Sequence, residues 1–147
     1  MYKKILVPLD GSKLAEIALP HAESLALQYH ADIVLLSVID PPSMAGRDNA
    51  AVHVFQKEMD TKMQDADIYL KALKNQYEKK NIKTKYFVNL GSVVQNIIET
   101  ANNESVDLVL IASHGRSGLQ RVFFGSIAAG VLNRIELPLM VIRPANE

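Results

Sequence analysis

The chain has 147 residues, 16 basic and 16 acidic side chains, and no cysteine. The length suits one ordinary domain, 1–147, with room for a buried core, and zero net charge argues against a protein whose main task is coating nucleic acid or an anionic membrane. Lack of cysteine removes disulfides, cysteine-ligated zinc, iron–sulfur clusters and thiol catalysis.

The expected compartment is the cytoplasm. No run approaches the roughly 18 apolar residues of a membrane span. The apolar stretch Ile5 to Leu9, behind the basic start Met1-Tyr2-Lys3-Lys4, stops at Asp10, short of the about 7–15 residues of a signal-peptide core.

Strand and helix patterns then alternate. Residues 4–9 form a short aliphatic run, apolar on both faces as a buried parallel strand requires, and Asp10-Gly11-Ser12 ends it. From Leu14 to Tyr29 the apolar residues keep helical spacing around Pro20, which predicts a kink or an irregular first turn. Residues 33–39 read as a second buried strand. Two prolines, a glycine and no periodicity make 40–51 a loop. A long helix follows, with Phe55, Met59, Met63, Ala66, Leu70, Leu73 and Tyr77 on one stripe. Glu58/Lys62 and Asp67/Lys71 are spaced to pair along it.

Residues 82–89 alternate polar and apolar, the pattern of a half-exposed edge strand. Ser92 and Gln95 fit a capping box for a helix reaching about Asn102. Residues 106–112 are a third strongly buried strand. The glycine-rich stretch 113–124 leads to a helix from about Gly125 to Arg134, and 137–142 is the last strand. The series β-α-β-α-β-α-β-α-β predicts an α/β fold, an open five-stranded parallel sheet with helices on both faces. The most apolar strands belong in the middle and the charged third at an edge, giving strand order 3-2-1-4-5.

In such a sheet ligands bind beyond the strand C-termini where the winding reverses, between strands 1 and 4. Two loops meet there: residues 8–12, and residues 112–118 continuing to Gly125-Ser126. Glycines and serines before a helix suit an anion, since backbone N–H groups approach oxygen there, and Arg116 and Arg121 add charge. Spacing alone leaves phosphate binding and a plain turn both open, and Asp10 could be only a helix cap. His21, His30 and His53 lack metal-like spacing. A G-x-x-x-x-G-K-[ST] loop is absent, so there is no Walker lysine. Gly115-Arg116-Ser117-Gly118-Leu119 misses the G-x-S-x-G elbow by its last residue, and no histidine follows Ser117 to complete a hydrolase triad.

The whole chain resembles the universal stress protein family. The residues that carry this are Ile5-Leu6-Val7-Pro8-Leu9-Asp10-Gly11-Ser12, Asp107 to Gly118, Phe124-Gly125-Ser126, and the ending Leu137 to Ile142. ATP-binding members carry Gly, two residues, Gly, nine residues, Gly, then Ser or Thr. Here Gly115, Gly125 and Ser126 match, and Ala112 replaces the first glycine. The resemblance implies a Rossmann-like, adenine nucleotide alpha hydrolase-like fold and an adenine-nucleotide site for ATP, ADP or AMP. In it, Pro8, Leu9 and Asp10 line the adenine and ribose end, with Asp10 accepting a hydrogen bond. Val38 packs on the adenine ring, and Ile111 and Ala112 close the other side. Gly115 and Gly125 present N–H groups to phosphates, Ser126 its hydroxyl and N–H, and Ile127 its N–H. His114, Arg116 and Gly118 complete the phosphate-side loop. Magnesium or manganese would sit on phosphate oxygens and water, with no direct protein ligand. The implied activity is nucleotide occupancy in stress signalling with at most slow hydrolysis. The implied assembly is a homodimer through strand 138–143. The alternative is a family member without nucleotide that acts through protein contacts.

Overall fold

The computed structural model describes residues 1–113 and 125–145. Its elements, in chain order, are β1 (Lys4–Pro8), α1 (Lys13–Glu16), α2 (Leu19–Tyr29), β2 (Asp32–Ile39), α3 (Asn49–Lys79), β3 (Thr84–Leu90), α4 (Val93–Asn103), β4 (Leu108–Ala112), α5 (Ser126–Leu132) and β5 (Leu139–Ile142). All four strand pairings are parallel. The order is β3-β2-β1-β4-β5, as the strand compositions predict.

Burial explains that order. Residues of β1 from Ile5 onward, and all of β4, are buried, which a strand needs when neighbours flank it and helices cover both its faces. On one face Ile5, Val7, Ile33, Leu35, Leu108 and Leu110 pack against the alanines of α1 and α2 and against Leu70 and Tyr77 of α3. On the other, Leu6, Val34, Leu36, Val109 and Ile111 meet Ile97 and Ala101 of α4 and Ala128 and Val131 of α5. Successive strand residues serve opposite faces, the two-residue period of a strand.

A carboxylate ties the sheet together at its N-terminal edge. Asp107, just before β4, accepts the backbone N–H groups of both Lys3 (2.7 Å) and Lys4 (2.8 Å) through Oδ2. Asp107 N–H in turn donates to the Lys4 carbonyl. Beside it, Glu104 lies 3.7 Å from Lys4 Nζ and 3.2 Å from Lys85 Nζ.

Four local expectations need correction. The helix expected over 14–29 is two helices, broken at Ile17 and Ala18, with Pro20 inside the first turn of α2. A proline there costs no intrahelical bond, because that N–H has no partner in any helix. The long helix begins at Asn49, inside the stretch read as loop, because the Asp48 side chain caps it by accepting the Ala51 N–H at 2.7 Å. The capping box at α4 is half formed. Ser92 Oγ accepts the Gln95 N–H, but the Gln95 side chain bonds Glu99 rather than reaching back. Neither predicted pair on α3 closes. Lys74 pairs with Glu78 instead, and Asp67 accepts the Tyr86 hydroxyl.

Candidate functional site

A cavity of about 310 Å³ opens at the C-terminal ends of β1, β2 and β4, where the winding reverses. Pro8, Leu9, Asp10, Val38, Ile111, Ala112, Gly125, Ser126 and Ile127, all singled out from the sequence, line it. The other four candidates, His114, Gly115, Arg116 and Gly118, lie outside the described residues, as do Ser117 and Arg121. Ser113, in the loop read as meeting at the site, also lines the cavity, and so do Ala15, Leu36 and Val93, which were missed. The signal for Leu36 was present: it stands two residues before Val38, and strand residues two apart share a face. Ser113 adjoins Ala112 at the end of the buried run. Ala15 and Val93 belong to helix starts whose facing only the folded chain reveals.

The β1 side of the cavity is shaped by side chains. Leu9 N–H continues the ladder to the Leu36 carbonyl at 2.8 Å, and the chain then turns sharply. Asp10 Oδ1 accepts both the Ser12 N–H (2.9 Å) and the Ser12 hydroxyl (2.5 Å). Gly11, between them, has φ 82°, a conformation that a side chain would strain. Ser12 Oγ accepts the Ala15 N–H at 3.1 Å, so the residue that holds Asp10 also caps α1. Asp10 is therefore a wall of the cavity and part of a capping network at once.

The β4 side is shaped by backbone. Ser113 N–H donates to the Ile142 carbonyl at 2.8 Å, and Gly125 N–H donates to the Ser113 carbonyl at 2.6 Å. The Gly125 N–H is already engaged here, which leaves the first-turn N–H groups of α5, from Ser126 on, without intrahelical partners. Ala112 is a regular residue of β4 in register with Ile142, and its φ is not positive. The methyl that replaces the motif glycine thus adds volume at the cavity wall without backbone strain.

The lining differs in character across the cavity. Leu36 and Val38 from β2, Val93 from α4 and Pro8, Leu9 and Ile111 make an apolar surface, while Asp10, Ser113 and Ser126 supply polar groups. Such a site fits a flat, largely apolar ring carrying a polar tail. Among the described residues no group of three or more His, Asp or Glu side chains could hold a metal ion.

Sequence comparison settles the family. The universal stress protein family model matches residues 1–143. The chain belongs to the universal stress protein family. Among curated universal stress proteins, MJ0577 of Methanocaldococcus jannaschii is 30% identical, over 99% of this chain and 98% of that protein. The solved structure of MJ0577 superposes with a TM-score of 0.84 at 31% identity, covering 100% of this chain and 99% of that one. A universal stress protein solved in complex with cAMP has the same fold at 18% identity and a TM-score of 0.62, covering 98% of each chain. No helix among the described residues is long and apolar enough to cross a membrane.

Proposed function

We propose that this universal stress protein binds an adenine nucleotide, ATP with magnesium or manganese in the first instance, in the cavity between β1 and β4. One observation carries the reading: Asp10 after β1, and Ala112, Gly125 and Ser126 at the family's nucleotide-motif positions, line one cavity of about 310 Å³, within the range of small-ligand sites. The apolar surface around Val38 and Ile111 would take the base, Asp10 the ribose, and Ser126 with Ile127 at the start of α5 the phosphates. The relative solved with cAMP shows that an adenine nucleotide can be held on this fold. A bound metal ion would neutralise phosphate charge, held by phosphate oxygens and water. Without a Walker lysine the chain lacks the parts that make a fast NTPase, so occupancy rather than turnover would be the signal.

Equilibrium titration tests this. ATP with magnesium should bind the purified protein, and mass spectrometry of the small molecules it releases on denaturation should find an adenine nucleotide. No binding at millimolar ATP overturns the reading and leaves a protein that acts through contacts alone.

Those contacts would include a second copy of the chain. β5 is the outer strand of the sheet, with all four residues half-buried. The carbonyls of Pro138 and Ile142 accept bonds from Val109 of β4 and from Ser113 just after it. By the two-residue period, Leu139 and Val141 turn their backbone groups outward. An apolar edge of this kind favours pairing with another strand. Val141→Pro removes an outward donor and no ladder bond, so it should convert a dimer to monomers in sedimentation. Unchanged size in that variant would place the interface elsewhere.

A further inference from the structure

The β1 wall of the cavity is anchored to α3 by one hydrogen bond whose partners belong to neither the nucleotide motif nor the cavity lining. Tyr69, half-buried on α3, donates its hydroxyl to Glu16 Oε1 at 2.6 Å, across 53 residues of sequence. Glu16 is the last residue of α1. That helix is a single turn of four residues, far below the length at which a helix holds itself together. Its start is fixed by Ser12, which also holds Asp10. Its end is fixed by Tyr69.

Ala15 of α1 is buried against the sheet, but packing on the α3 side of the turn is open. Between Asp10 and Gly11 on one side and Lys62, Asp65, Ala66 and Tyr69 of α3 on the other lies a second cavity, of about 290 Å³. The turn that carries Asp10 is therefore not backed by closely packed α3 side chains, and the Tyr69–Glu16 bond bridges the two sides. Burial first, and then the hydrogen bond to Glu16, hold the Tyr69 phenol above the usual tyrosine range, so it remains a donor throughout the neutral range.

We infer that Tyr69 and Glu16 are positioning residues for the nucleotide cavity: together they pin the end of α1 and so hold Asp10 and Ala15 where the ligand meets them. The inference rests on the nucleotide reading for its ligand, though not for the motion it predicts.

Two measurements test it. In the nucleotide-free protein, amide hydrogen exchange over residues 10–16 should speed up in Tyr69→Phe and in Glu16→Ala by similar factors. Glu16→Gln keeps an oxygen acceptor and should stay near wild type. The same two disruptive variants should each weaken ATP binding by about three- to tenfold, the effect of losing one hydrogen bond. Their combination should be no worse than either alone. Unchanged exchange in Tyr69→Phe overturns the inference, as does faster exchange with unaltered ATP affinity. So does a Glu16→Gln variant as impaired as Glu16→Ala. A wild-type protein that fails to bind ATP overturns the nucleotide reading alone, because the exchange experiment still decides whether the strut holds the turn.

Discussion

The two walls of the cavity are built by different means. On the β4 side, Ser113, Gly125 and Ile142 are joined backbone to backbone, in bonds that survive almost any side-chain change. On the β1 side, Asp10, Ser12, Glu16 and Tyr69 are joined through side chains, and each link depends on one residue type. The β4 wall is thus vulnerable to changes of volume, and the β1 wall to deletion of single polar atoms. Among the described residues, the β4 wall is joined mainly through backbone and the turn after β1 mainly through side chains.

The largest expected effect comes from volume behind the β4 wall. A Cβ added at Gly130 of α5 would sit 2.8 Å from Val94 Cγ2 of α4, so the two helices touch there only because Gly130 lacks one. Gly130→Val should cost about 2–3 kcal/mol in urea unfolding by overpacking. Val94→Ala in the same chain should restore part of it. A fully tolerated Gly130→Val would mean that α5 shifts readily, and the contrast between the walls would fail. Next in size is the β1 wall. Ser12→Ala removes the cap of α1 and the hydroxyl bond to Asp10, keeping the backbone one, and should lower stability by about 1–2 kcal/mol, with faster exchange confined to residues 10–16. Spread of that effect to α5 would show that the walls are coupled.

The smallest effect concerns alkaline pH. The Tyr69 phenol is favoured in its protonated form by the fold, so its contribution is complete below the unfolded tyrosine value of about 10. It is lost progressively as pH rises from there toward the higher folded value. Urea midpoints should fall more steeply above about pH 10 in the wild type than in Tyr69→Phe. Parallel curves would mean that the phenol is not held as the geometry indicates.

Much of the fold was legible because burial writes itself into composition. The unbroken apolar runs of β1, β2 and β4 and the alternating run of β3 determine which strands are central and which is an edge. The site was legible through the loops at the β1 and β4 C-termini. What escaped were features governed by single local bonds. The first turns of α3 are mostly exposed, so they carry no periodicity, and only the Asp48 cap marks their start. Pro20 signalled a disturbance, but nothing in the spacing distinguishes a kink from a complete break. The Tyr69–Glu16 bond joins residues 53 apart, and no local pattern predicts such a pairing. Ala15 and Val93 reach the cavity through helix orientation, which depends on packing rather than on sequence period.

The central place of β1 has a consequence for how the protein is made. β1 is synthesised first, yet its two neighbours arrive far apart in time. β2 follows within some thirty residues, whereas β4 and the Asp107 carboxylate that grips Lys3 and Lys4 come about a hundred residues later. Until then one side of this buried, largely apolar strand stays unpaired. At about 5–20 residues per second that wait lasts several seconds on the ribosome. The nascent chain must keep an adhesive edge from finding the wrong partner, and sheet closure must await β4.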